Sequence, residues 1–106
     1  MVHDRKYHYL YITINTINYH FYIGRHSTDN LDDSYIGSGY RLKSAIKKYG
    51  KHNFRRVIVL FFDTYDELVA AENHYITEDL IRFKNCYNVS GGGHGGYLSD
   101  EIYKNA

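Results

Sequence analysis

Proline and tryptophan are absent from this 106-residue chain, and Cys86 is the single cysteine. One cysteine excludes an intrachain disulfide and any cysteine-rich zinc cluster, which points to a reducing compartment. No apolar run approaches the roughly 20 residues that span a bilayer, and the opening MVHDRKYHYL lacks the apolar stretch of a signal peptide, so the expectation is a cytoplasmic protein without membrane contact. Glycine is scarce outside one segment: five of the nine lie between Gly91 and Gly96, leaving a body dense in regular structure and one glycine loop. Acids are missing from a long stretch as well. Between Asp33 and Asp63 there is none, while Arg41, Lys43, Lys47, Lys48, Lys51, Arg55 and Arg56 all fall there.

That block of seven positive charges sits in a chain whose net charge is only +1, so the remainder is acidic. Such asymmetry predicts a localised contact with a polyanion, against the plainer alternative of a solvated helix face. Thirteen tyrosines supply side chains with an apolar body and a hydrogen-bonding tip. The length and a hydrophobic content of 43% fit one domain with a modest core.

Alternation in YHYLYITIN places Tyr7, Tyr9, Tyr11 and Thr13 on one side of a strand and Leu10, Ile12 and Ile14 on the other. Turn residues follow from Asn15 to Asn18, and YHFYIGRH alternates again, so residues 7 to 26 read as a β-hairpin. With the turn centred at Thr16-Ile17, positions summing to 33 face each other, which sets Tyr11 opposite Tyr22 and Tyr7 opposite His26. After a polar loop ending in Gly-Ser-Gly, Leu42, Ala45, Ile46 and Tyr49 mark an amphipathic helix that Gly50 closes in a left-handed cap, its other face bearing Arg41, Lys43, Lys47 and Lys48. The run FRRVIVLFF reads as a central strand because it is so uniformly apolar. Thr64 and Glu67 form a capping box opening a helix to about Phe83.

Glu72 falls in the middle of that helix's apolar arc of Leu68, Val69, Tyr75, Ile76, Leu80 and Phe83. A carboxylate there must protonate, pair with a base such as Arg41 or Lys47, or hold a cation in a cleft. The order is β-β-α-β-α: an α+β fold with a small antiparallel sheet flanked by helices, to which CYNVS could add a short strand.

Tyr9-Leu10-Tyr11, followed eleven residues later by Tyr22-Ile23-Gly24, resembles the paired signature of the GIY-YIG nuclease superfamily. The stretch YIGRHSTDNLDDSYIGSGYRLKSAIKKYGKHNFRRVIV further resembles its phage-borne branch of freestanding homing-type endonucleases, and Tyr87-Asn88 before the glycines resembles the end of that catalytic domain. The resemblance covers residues 7 to 96 and implies a catalytic domain over 1–96; in the tail over 97–106, Ser99-Asp100-Glu101 reads as a helix beginning. It implies a three-stranded antiparallel sheet and divalent-metal-dependent hydrolysis of DNA, in the host cell cytoplasm if the chain is phage-encoded; no oligomeric state is implied.

Carried across residue by residue, Glu72 is the ligand of one Mg²⁺ or Mn²⁺ ion, Tyr11, Tyr22 and Gly24 match the two motifs, Arg41 the arginine opening the first helix, and Asn88 the asparagine near the domain's end. A guanidinium and a hard cation suit the negative charge that gathers on a phosphodiester in its transition state. A tyrosine of the hairpin would help to activate water, and His26, on the face of Tyr22 and Gly24, is the candidate to relay the proton. Lys43, Lys47, Lys48, Lys51 and Arg55 are the candidate phosphate contacts. Two positions depart from the pattern: Tyr9 replaces the glycine of the first motif, and Ala45 replaces a histidine that many members carry one turn after the arginine. The second departure keeps open an impaired relative that binds nucleic acid or inhibits a partner.

Overall fold

In the computed structural model, which describes residues 2–89, three strands form an antiparallel sheet in the order β2-β1-β3. The strands are β1 (Tyr7–Asn15), β2 (Phe21–Thr28) and β3 (Phe54–Phe62), and the helices are α1 (Tyr40–Tyr49), α2 (Tyr65–Tyr75) and α3 (Glu78–Ile81). The glycine segment 91–96 and the tail 97–106, with its expected helix start, lie outside the described residues.

β1 is the middle strand. Tyr9, Tyr11, Thr13 and Asn15 on one face have no exposed surface, and Leu10 on the other face is also buried. The expectation of a central β3 is therefore corrected: β3 is an edge, and Val57, Val59, Leu60 and Phe61 are 44–54% exposed. Uniform apolarity says that neither face of a strand is strongly polar; it does not say how many neighbours the strand has. One extra residue on β3 shifts the register between Leu10 and Tyr11, so that Leu10 faces Leu60 while Tyr11 faces Ile58, and Val59 is the bulge.

The hairpin register also differs from the expectation. Tyr11 faces Gly24, Thr13 faces Tyr22 and Tyr9 faces His26, so facing positions sum to 35. The cause is the turn. Asn15 N–H bonds His20 C=O, Tyr19 N–H returns to Asn15 C=O, and Tyr19 takes a positive φ of 63°, while the side-chain oxygens of Asn15 and Asn18 accept from the Ile17 and His20 amides. A longer turn than expected moves every pairing by two residues, and an even shift preserves the faces.

α1 packs on the tyrosine face, where Leu42, Ala45, Phe54 and Tyr87 form a cluster joined by Tyr22, Ile36, Ile46 and Tyr49. The helical spacing read from the sequence is thus the buried face. Full burial of Leu42 alone contributes about 1.5–3 kcal/mol. Gly50 ends α1 and donates to Ile46 C=O, but with φ 89° and ψ 136° it is not the left-handed helical cap expected, though the positive φ still favours glycine.

α2 packs on the opposite face of the sheet, starting from the capping box of Thr64 and Glu67 and burying Leu68 and Glu72. It stops at Tyr75 rather than near Phe83. Ile76 leaves the helical region, and Thr77 starts α3 by accepting from the Leu80 amide. Thr77-Glu78-Asp79 is itself a helix-start signal, a capping side chain followed by two acids, and it wins over continuation through the β-branched pair Ile76-Thr77. The break leaves Tyr75 and Phe83 exposed, while Ile76 and Ile81 are buried.

Candidate active site

The site is built along β2. Strand alternation turns Tyr22, Gly24 and His26 towards the tyrosines of β1, and Tyr11 lies directly across from Gly24. The reason for glycine is steric. A Cβ there would sit 2.6 Å from the Tyr11 hydroxyl and 2.7 Å from Tyr22 Cε2, so the two rings close over a backbone that carries no side chain. The rings of Tyr11 and Tyr22 are 6.2 Å apart, meeting on the diagonal rather than face to face across the hairpin.

The loop 29–39 forms the wall above this floor. Tyr35 stacks on His26 at 3.8 Å with the rings 9° from parallel, and its ring lies 6.0 Å from that of Tyr11. Ser38 Oγ is 3.4 Å from the Tyr22 hydroxyl. Arg56, reaching from β3, pins the loop: it donates to Leu31 C=O, Tyr35 C=O, the Tyr9 hydroxyl and Asp33. Tyr9, where the resemblance expects glycine, is thereby used as an anchor. Its ring is also edge-on to Tyr11 and His26.

Asp33 completes the wall. Its Oδ2 is 2.7 Å from His26 Nε2 and its Oδ1 accepts from the Tyr35 amide at 3.1 Å. Burial alone would raise this carboxyl, but those hydrogen bonds and the neighbouring imidazole win, holding it at about 2. Burial pushes the Tyr11 hydroxyl far up, with Tyr22 and Tyr35 adding to the effect. The Tyr11 hydroxyl is the one buried side-chain polar atom among the described residues without a hydrogen bond of good geometry, although the Tyr35 hydroxyl is near enough to act on it. Burial raises Tyr22 too; its bond with Ser38 opposes this, and the charge of Glu72 adds to it. At neutral pH both are phenols, able to donate.

Glu72 comes from α2, on the other face of the sheet, and is 8% exposed. Arg25, which alternation turns away from Tyr22 and Gly24, donates to its Oε1 at 2.8 Å, so the partner is neither Arg41 nor Lys47. Burial raises the carboxyl above its ordinary value while the charge and hydrogen bond of Arg25 hold it down in part. Arg41, from the first turn of α1, donates to Cys86 C=O. Asn88, 4% exposed, clasps the outer edge of β2: it accepts from Ile23 N–H at 2.9 Å and donates to Ile23 C=O at 2.6 Å. Its amide is engaged at both ends, so its observed task is to close the strand and hold the site's geometry. Of the short strand expected in CYNVS, the described residues 86–89 show one bridge, Cys86 beside Phe21, and Ser90 lies outside the described residues.

Lys43, Lys47, Lys48 and Lys51 are exposed on or just beyond α1, and Arg55 is exposed while donating to His52 C=O and Phe54 C=O. Ala45 faces the core cluster. Sequence reasoning missed Arg25, Asp33, Tyr35 and Arg56. Arg25 alone carried a local signal, a charge alternating with Ile23 and Leu10 on an otherwise apolar face.

The tyrosines close over Gly24 on one face of β2, Glu72 meets Arg25 on the other, and Arg41 holds the Cys86 carbonyl. The GIY-YIG catalytic domain matches residues 7–84, and the chain belongs to the GIY-YIG family. It is 51% identical over 92 residues to "Putative endonuclease segE" of Enterobacteria phage T4, covering 87% of this chain and 45% of that protein. It is 45% identical over 94 residues to "Putative endonuclease segC" of the same phage, covering 89% and 48%, and 42% identical over 93 residues to that phage's "Endonuclease segA", covering 88% and 42%. The chain thus spans about half the length of the relatives it matches. No solved structure matches it.

Proposed function

We propose that this chain is the catalytic domain of an endonuclease that hydrolyses DNA phosphodiester bonds with one divalent cation, Mg²⁺ or Mn²⁺, held by Glu72. The observation that carries the reading is the Tyr11 hydroxyl, without a hydrogen bond of good geometry and buried beside Gly24 and Tyr22, with the charge of Glu72 reaching Tyr22. A buried donor without a good hydrogen bond is costly, and a phosphate oxygen or attacking water would satisfy it. The donor set fits a hard ion. Among the described residues no group of three or more His, Cys, Asp or Glu could hold a metal, and a single carboxylate suits an ion that keeps several waters. Such an ion neutralises charge on the phosphodiester and eases loss of a proton from water.

The chain's own residues supply the rest. Tyr11 and Tyr22, both phenols, donate hydrogen bonds towards the reacting centre, and Arg41, which donates to the Cys86 carbonyl beside Phe21, opposes the developing charge. With Nε2–H donated to Asp33, His26 keeps Nδ1 as the acceptor that can take the proton from water through the tyrosine wall. Lys43, Lys47, Lys48 and Lys51, with Arg55, track the phosphates to either side, giving binding that depends on salt more than on sequence. The catalytic unit runs over residues 1–96, with 97–106 as a tail. No helix among the described residues is long and apolar enough to cross a membrane, and the host cytoplasm is the proposed place of action.

Ala45 favours a second reading, a relative that binds nucleic acid without cutting it or inhibits a partner. Digestion of a supercoiled plasmid with and without Mg²⁺ separates the two. Cleavage that needs the ion and that Glu72→Gln abolishes, with DNA affinity unchanged, is the expected outcome; more than a few per cent of residual activity in Glu72→Gln would refute the role of Glu72, and binding without any cleavage would support the second reading.

A further inference from the structure

Arg25 is the residue that the site's chemistry leaves unexplained. It follows the motif glycine directly, yet it points to the face opposite Tyr22 and Gly24 and reaches Glu72 from behind, at 2.8 Å. Its guanidinium also lies over the Tyr65 ring, 5.4 Å from the centroid, so both ends of the contact are furnished by α2. The pair is substantially withdrawn from water: the Glu72 side chain is 11% exposed and that of Arg25 is 30% exposed. Such a buried pair is weak evidence for a stabilising role, because replacing two charges with apolar groups is often neutral or better. A carboxylate wanted for a cation has a different need. Free of metal, a carboxylate in an apolar stripe needs a counter-charge and an aim, and the guanidinium at 2.8 Å supplies both.

We propose that Arg25 is a positioning residue that sets the affinity of Glu72 for its divalent cation, acting as the counter-charge that the metal displaces. The inference rests on the reading of Glu72 as metal ligand. Metal and guanidinium compete for one carboxylate, and two cations held a few ångströms apart repel. Arg25 therefore weakens binding of the ion while holding Glu72 ready for it. Release of the guanidinium accompanies metal entry, and its return accompanies metal loss, so the domain keeps its fold with or without the ion.

The test measures Mn²⁺ binding to the 106-residue chain from the paramagnetic signal of the free ion. Arg25→Met retains the stem over Tyr65 and removes the charge; it should tighten Mn²⁺ binding by about tenfold at pH 8, the scale of a partly solvated like-charge repulsion. Arg25→Lys restores a charge and should return affinity to within about twofold of the wild type. Glu72→Gln should abolish binding. Unchanged or weaker binding by Arg25→Met, with Glu72→Gln still null, overturns the inference and leaves the Glu72 reading standing. Binding that survives Glu72→Gln at wild-type affinity overturns the Glu72 reading, and the assignment of Arg25 falls with it. A purely structural Arg25 would change thermal stability without moving the Mn²⁺ affinity. Should Arg25→Met fail to fold, the wild-type Arg25 Nε–H resonance decides: saturating Mg²⁺ should shift it and speed its exchange with water, and a resonance that does not respond overturns the proposal.

Discussion

The two outer strands of the sheet are nearly equal in length and differ in almost everything else. β2 is closed along its outer side: Phe21 N–H bonds Asn85 C=O, Tyr87 N–H bonds Phe21 C=O, and Asn88 takes both main-chain groups of Ile23. β3, the more apolar of the two, has no segment paired along its outer side among the described residues. The sheet residues proposed to act on the reacting centre lie on β2 or face it from β1, while β3 lends Arg56 as an anchor and Arg55 as a proposed phosphate contact. The difference teaches that the candidate site lies where the backbone is held at both edges. Hydrophobicity along a strand reports neither its place in the sheet nor its importance.

Substitutions can break or sharpen that contrast. The largest effect is expected from Gly24→Ala, whose added Cβ would overlap Tyr11 and Tyr22; overpacking of this kind costs about 1–3 kcal/mol, read as a lower urea midpoint. Displacing the two rings should also cut cleavage by about 10²-fold or more, and wild-type turnover would show that the ring positions do not matter. Next comes His26→Ala, expected to lower turnover by roughly 10²-fold with little change in DNA binding. If that variant cuts at the wild-type rate from pH 6 to 9, the His26 and Asp33 pair only props up the loop.

A smaller effect follows from Asp33. Its folded value of about 2 lies below the ordinary carboxyl value, so the stability it contributes is complete above about pH 4 and is lost as pH falls towards 2. Urea midpoints measured from pH 5 to 2 should therefore fall less steeply in Asp33→Asn than in the wild type, and parallel curves would refute the role. The smallest effect belongs to the open edge: Val59→Lys, on the bulge, should change stability by no more than about 0.5 kcal/mol and leave cleavage untouched. A large loss there would mean that β3 is not the idle edge it is taken to be.

Much of the fold was legible because it is local. Alternation in YHYLYITIN, the apolar spacing of α1 and the Thr64–Glu67 box each rest on a few neighbouring residues, and each is seen. Glu72 stood out because a charge in an apolar stripe is an inconsistency that only function or pairing resolves. What went unread is of two kinds, local signals that were outweighed and contacts between distant residues. The register depended on how Asn15 and Asn18 spend their side-chain bonds in the turn. The break at Ile76 depended on Thr77 prevailing as a cap, a local signal overlooked in favour of a longer apolar arc. Arg56 looked like one more base in a phosphate-binding block, and only its meeting with Leu31, Asp33 and Tyr35 shows it turned inward. The arginines and lysines of that block have separate tasks, since a planar fork satisfies several carbonyls at once and an ammonium remains better hydrated.

The clasp at Asn88 bears on where this domain ends. The family match stops at residue 84, one residue short of the first contact that seals β2. A chain shortened to Lys84 would lose Tyr87 from the core cluster, uncover the main-chain groups of Phe21 and Ile23, and free Arg41 from Cys86. The stretch that the family match covers is therefore shorter than the stretch that closes β2. Anyone grafting this domain onto another protein should cut no earlier than Asn88.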